Sequence, residues 1–144
     1  MDGPLGLHEF EAEAARLASS LSPNDGRATL VTLSGGLGAG KTAFAQALAA
    51  ALGVTEPVTS PTFVLAKSYP LPEGGAFSRL LHMDAYRLSS GAELGPIGVP
   101  AALLEPGTLV VLEWPEMVAE ALPPADVALT IIPVSETERT LSYA

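Results

Sequence analysis

Residues Gly35-Gly36-Leu37-Gly38-Ala39-Gly40-Lys41-Thr42 fit the pattern G-x-x-x-x-G-K-[ST], and they lie between a β-branched run and a helical run. Strand, glycine loop and helix in this order are the phosphate-binding unit of an α/β fold, so the loop constrains the architecture before anything else is read. The glycines let the backbone curl until successive N–H groups point into one concavity, and the following helix adds the positive end of its dipole. Lys41 can then reach the β- and γ-phosphates, and Thr42 can offer its hydroxyl to Mg²⁺. The loop predicts a nucleoside triphosphate held by Gly35, Gly36, Leu37, Gly38, Ala39, Gly40, Lys41, Thr42 and the next residue, Ala43.

The 144 residues, 48% of them hydrophobic, suffice for one domain spanning 1–144 with its own core and leave no room for a second catalytic domain. Sixteen acidic against seven basic residues give a net charge of −9, which repels a phosphate backbone; neither DNA nor direct RNA binding is expected. The absence of cysteine excludes disulfides, thiolate catalysis and cysteine metal sites. The first residues carry acids where a signal peptide would be basic, and no apolar stretch approaches transmembrane length, so a soluble cytoplasmic protein without membrane association is expected.

Leu7, Phe10, Ala14, Leu17, Ala18 and Leu21 recur at helical spacing, with Glu9, Glu11, Glu13 and Arg16 mostly off that stripe; residues from about 6 to 21 read as an amphipathic helix. Arg27 to Ser34 is the strand entering the loop. Lys41 to Leu52, rich in alanine with Phe44, Leu48 and Leu52 four apart, is the helix behind the phosphates, and Gly53 is placed to cap it. Phe63 to Tyr69 and residues 77 to 84 read as a hairpin, the latter alternating Phe77/Arg79/Leu81/Met83 against Ser78/Leu80/His82/Asp84. Ser89 to Pro100, rich in glycine and proline, reads as a connector before a short helix. Thr108 to Glu113 is a buried strand, Met117 to Leu122 a short helix, and Asp126 to Val134 and Arg139 to Tyr143 two late strands.

A phosphate cradle needs a magnesium carboxylate at the C-terminal end of a strand beside the one that feeds the loop. Glu113 closes a fully apolar run and is the favoured metal ligand, whereas Asp84, closing a mixed run, is placed to hold the attacking water or a water of the magnesium shell; a solvated acid at a strand exit is the alternative for each. Ser60-Pro61-Thr62 is either a sensor of the γ-phosphate or an ordinary turn. Trp114 is either packing or a wall of the nucleotide site. His82 reads as a strand-end histidine bonded to its surroundings rather than as a base, and His8 as solvated. Arg87 and Arg139 are candidates for phosphate or adenine contacts, against surface salt bridges.

The segments Gly35 to Thr42, Ser-Pro-Thr-Phe (60–63), His-Met-Asp-Ala-Tyr-Arg-Leu (82–88) and Glu-Trp-Pro-Glu (113–116), in that order, resemble the TsaE (YjeE) family, the ATPase of bacterial tRNA threonylcarbamoyladenosine synthesis. The resemblance runs from the first helix to the last strand. It implies a P-loop NTPase fold with a mostly parallel central sheet, added antiparallel strands and helices on both faces. It also implies ATP as nucleotide, Thr42 and Glu113 as Mg²⁺ ligands, Asp84 and Lys41 in catalysis, and Arg139 at a late nucleotide-contacting position. The implied partners are TsaB and TsaD, with tRNA reached through them. Two departures stand out: the family usually has Asp where this chain has Gly36, and Phe10 stands close to the place of a threonine near the start of the first helix. The expected function is an ATPase that cycles a protein complex. A small-molecule kinase and a binding-only switch are the other readings, and a guanine-nucleotide switch is disfavoured because no Asn-Lys-x-Asp run is present.

Overall fold

The computed structural model describes residues 3–59 and 65–144. Helix α1 (Leu7–Ser20) precedes β1 (Thr29–Ser34), the glycine loop and α2 (Lys41–Ala51). Strands β2 (Ala66–Pro70) and β3 (Arg79–Asp84) follow, then the short helices α3 (Leu94–Ile97) and α4 (Val99–Ala102) and strand β4 (Thr108–Glu113). Strands β5 (Val127–Pro133) and β6 (Arg139–Tyr143) close the chain.

The six strands form one sheet in the order β2-β3-β4-β1-β5-β6. β1 pairs in parallel with β4 and β5, and β3 in parallel with β4, while the outer hairpins β2/β3 and β5/β6 are antiparallel. Parallel strands covered on both faces must be apolar on both, and this explains the unbroken runs Leu109-Val110-Val111-Leu112 and Leu80-Leu81. On one face Val31, Leu33, Val111 and Leu129 pack against Phe10 and Leu17 of α1 and Phe44 and Leu48 of α2. On the other, Leu30, Val110, Leu112, Leu81 and Met83 meet Leu94, Val99 and Val118. The strand order places the C-terminal ends of β3, β4 and β1 side by side, so the residues leaving those strands converge on the glycine loop. None of the described helices is long and apolar enough to cross a membrane.

Both long helices lie within a residue or so of their expected bounds. α2 ends in a Schellman motif: Gly53 takes φ +97°, its N–H donates to the Ala50 carbonyl, and the Val54 N–H donates to that of Ala49. Pro72 lies 2.8 Å from where a Cβ on Gly53 would sit, so packing as well as φ demands glycine. Two segments depart from expectation. The Ser89 to Pro100 connector contains a 3-10 turn (Gly91–Glu93), α3 and the start of α4, because Ser90 and Glu93 form a capping box. The helix expected over Met117 to Leu122 is instead two 3-10 turns, Pro115–Met117 and Ala119–Ala121, separated by Val118 at φ −135°.

The α1 stripe also shifts. Leu7 is exposed, while Glu13, expected off the stripe, is buried. It is tolerated because Arg16 forks onto both carboxylate oxygens at 2.6 and 2.7 Å and the Tyr143 hydroxyl donates to Oε2 at 2.5 Å, tying α1 to β6. The Arg16 hydrogen bond holds the Glu13 carboxyl below its ordinary value, against the opposing effect of burial; burial and Glu13 together push Tyr143 up to about 12. A carboxylate with a depressed folded pKa stabilises above its unfolded value and ceases to do so as pH falls through the folded one; a raised tyrosine stabilises below its unfolded value and ceases to do so as pH rises through the folded one. The clamp is therefore at full strength from about pH 5 to about pH 10. Glu13→Gln should lower stability by about 1–3 kcal/mol at pH 7, a difference that shrinks below pH 4 when urea unfolding is repeated there.

Candidate functional site

β1 delivers the chain into the loop at Ser34, and three of its four glycines are required by geometry. Gly35, Gly38 and Gly40 take φ of +146°, +73° and +112°, and a Cβ on Gly35 would sit 2.6 Å from the Ile131 carbonyl oxygen of β5. Gly36 is different: its φ lies outside the left-handed region and a Cβ there would meet nothing within 4 Å. The backbone thus accepts the aspartate expected at that position, and glycine here removes a side chain without relieving any crowding. Leu37 is the loop's exposed tip at 72%.

Lys41 opens α2 and is almost wholly buried. Its Nζ donates to the carbonyls of Gly35 at 2.7 Å and Gly36 at 2.8 Å and lies 4.1 Å from the centroid of the Trp114 ring. Burial lowers its pKa, opposed by the negative charges of Glu113, Glu116 and Asp84. At the next residue, the Thr42 hydroxyl donates to Glu113, with Oε1 at 2.9 Å and Oε2 at 3.1 Å. Glu113 is 2% exposed, so it is no solvated strand-end acid. His82 Nε2 lies 2.6 Å from its Oε2.

Asp84 is directly beside Glu113 in the parallel β3/β4 register and is also buried, accepting the Tyr86 backbone N–H at 2.9 Å. Loop, Asp84, Tyr86, Glu113 and Trp114 together line a cleft of about 360 Å³. Trp114 adopts the left-handed conformation at φ +62°, an unfavourable choice for a bulky residue, with its N–H bound to the Leu33 carbonyl at 3.1 Å. That turn aims the ring at Lys41 and against Tyr86, 4.8 Å between centroids, so Trp114 is both packing and wall.

A second cleft of about 320 Å³ opens on the other side of Gly40 and Ala43, between Leu5 to Leu7, Phe10 and the β5/β6 turn at Glu136 and Thr137. Arg139 lines it, but its guanidinium is engaged with backbone: Nε with Ala39 O at 2.7 Å, Nη1 with Ser135 O at 2.9 Å and Glu138 O at 3.0 Å. It staples the late hairpin to the phosphate loop. Phe10 packs edge-on against Phe44, 5.4 Å between centroids, and so belongs to both core and cleft. Arg87 and His8 are exposed. The expected sensor Ser60 to Thr62 lies outside the described residues.

The structure thus gathers Lys41, Thr42, Asp84 and Glu113 at one cleft and sets Arg139 at the other. Sequence reasoning missed the His82 to Glu113 bond, Tyr86, and the place of Glu136 and Thr137. His82 and Asp84 share a face of β3, and Glu113 stands at the level of Asp84 across the ladder; that register was the signal available. Among the described residues no cluster of three or more His, Cys, Asp or Glu is arranged for a metal. One carboxylate and one hydroxyl are what Mg²⁺ uses when phosphates and water complete its shell, and the paired oxygens of Thr42 and Glu113 are such a hard donor set.

Comparison with known proteins agrees with this arrangement. The chain is 38% identical over 116 residues to the tRNA threonylcarbamoyladenosine biosynthesis protein TsaE of Treponema pallidum, covering 81% of this chain and 82% of that one. It is 44% identical over 108 residues to the protein of the same name from Streptomyces coelicolor, covering 74% and 68% of the two chains. The Bacillus subtilis protein is 33% identical over 135 residues, covering 94% and 78%. The crystal structure of Bacillus subtilis YdiB superposes with a TM-score of 0.71 at 29% identity, over 99% of this chain and 86% of that one. Residues 7–141, which hold the loop, both carboxylates and Arg139, match the family described as threonylcarbamoyl adenosine biosynthesis protein TsaE; the chain belongs to the TsaE family.

Proposed function

We propose that residues 1–144 form one P-loop domain that binds and slowly hydrolyses ATP with Mg²⁺, in support of threonylcarbamoyl modification of a tRNA adenosine in the cytoplasm. The observation that carries this reading is the pair of adjacent buried carboxylates at the ends of β3 and β4, one bonded to the loop's own Thr42 and the other lining the same cleft. The backbone N–H groups of Gly36 to Thr42 cradle the phosphates, and Lys41 swings from the loop carbonyls to the β- and γ-phosphate oxygens. Thr42 and Glu113 would hold Mg²⁺, which would supply charge neutralisation at the phosphates. Asp84 orients the attacking water and accepts its proton. Trp114 and Tyr86 shield the cleft from bulk solvent, which strengthens the charge interactions within it.

The second cleft lies away from Asp84 and Glu113, neither of which lines it, so it suits the base and ribose rather than a phosphate acceptor. That placement favours water over a metabolite as acceptor. Arg139 then acts by fixing the loop and the cleft wall together. The partners are TsaB and TsaD, and tRNA is reached through the complex, in keeping with the net charge of −9. The test is the fate of γ-labelled ATP: inorganic phosphate should appear slowly with the chain alone and at a different rate once TsaB and TsaD are added. Transfer of the label to a metabolite would replace this reading by that of a kinase.

A further inference from the structure

His82 is a buried titratable side chain that the scheme above does not use. It is 1% exposed, between Leu81 and Met83 in β3, and its Nε2 makes the 2.6 Å contact with Glu113 Oε2. An ionised carboxylate only accepts, so Nε2 carries the proton and donates. Nδ1 is left as a buried atom without a hydrogen-bond partner among the described residues. A histidine kept only to fill the core would leave nothing gained for that orphaned nitrogen, since an apolar side chain of the same size would pack there without it. The gain lies at the other ring nitrogen.

Glu113 has few ways to be held. Its carboxylate ends a side chain with three rotatable bonds, and among the described residues Thr42 and His82 are the side chains that bond it. Both contacts converge on Oε2, at 2.6 Å from the imidazole and 3.1 Å from the hydroxyl, while Oε1 stands at 2.9 Å from Thr42. The backbone that carries the ring is held on both sides: β3 pairs with both β2 and β4, and His82 sits opposite Lys67 on one side and Val111 on the other. We propose that His82 is a positioning residue for Glu113, its Nε2–H fixing one carboxylate oxygen so that the other is presented with the Thr42 hydroxyl to the metal-bearing side of the cleft.

The proposal rests on Glu113 being the metal carboxylate, and the experiment separates the two claims. ADP affinity is measured by calorimetry in EDTA and in saturating magnesium for the wild type, His82→Leu, His82→Asn, His82→Gln and Glu113→Gln, with melting temperatures for each. The ratio of the two affinities is the metal-dependent gain. Glutamine places an amide N–H near the Nε2 position and asparagine is too short to do so. His82→Leu and His82→Asn should lose about tenfold of the gain, the size expected for an outer partner of a metal ligand, with the EDTA affinity unchanged, and His82→Gln should recover most of it. Equal loss of affinity with and without magnesium, or no loss in any folded His82 variant, would overturn the positioning role. If the leucine variant does not fold, the contrast between asparagine and glutamine decides alone: equal gains for the two count against the proposal. An unaltered gain in Glu113→Gln would instead remove the metal assignment itself.

Discussion

Lys41→Ala should lower ATP turnover by about 10²–10³-fold, the usual cost of removing one preorganised donor from a developing anion. The geometry argues for the larger end. Lys41 is the cation held inside the cleft, buried between two loop carbonyls and the Trp114 ring. Because burial lowers its pKa, the folded protein holds this proton less tightly than the unfolded chain; the resulting cost is present at neutral pH and eases as pH rises through the folded value. Removing the charge relieves that cost but leaves the carbonyls of Gly35 and Gly36 short of a donor. The two effects oppose each other, so Lys41→Met, which keeps the stem, should remain within about 1 kcal/mol of wild-type stability in urea unfolding while turnover collapses. A large loss of stability with turnover intact would mean that Lys41 serves the fold rather than the phosphates.

The second large effect separates the two acids. Asp84→Asn should cut turnover by about 10²–10⁴-fold, as expected when a positioned base is lost, while nucleotide affinity in magnesium stays close to wild type. Glu113→Gln should lower the metal-dependent affinity by at least about tenfold, the minimum that outer-shell partners alone contribute. Calorimetry and single-turnover hydrolysis on both variants give the comparison. The adjacency of the two residues in the β3/β4 register makes the reverse assignment a concrete alternative: intact magnesium dependence in Glu113→Gln, with loss in Asp84→Asn, would exchange their roles.

Much of this site was legible before any coordinates. The loop pattern marks the residues that line the first cleft, and the apolar run ending at Glu113 marks a central strand whose terminal acid faces the loop. Helix bounds followed from periodicity and from Gly53, whose left-handed φ and contact with Pro72 leave little freedom. What escaped was nonlocal or locally contradictory. The Thr42, Glu113 and His82 contacts join residues 71 and 31 positions apart, and only sheet register brings them together. Glu13 reads as a surface acid because its partners, the Arg16 guanidinium and the Tyr143 hydroxyl, come from one turn ahead and from the last strand. The glycine and proline that suggested a connector at 89–100 are compatible with short helical turns once Ser90 and Glu93 cap them.

At Gly36 the position is open to a Cβ and its φ is ordinary, so the backbone there would accept an aspartate without strain.

The most direct measurement is the amount of threonylcarbamoyladenosine in tRNA from cells that rely on this chain as their only TsaE-family protein. The modification should fall on depletion, return with the wild-type chain, and fail to return with Lys41→Ala expressed at equal level. Undiminished modification on depletion, or full restoration by Lys41→Ala, would contradict a role carried by nucleotide turnover at this loop.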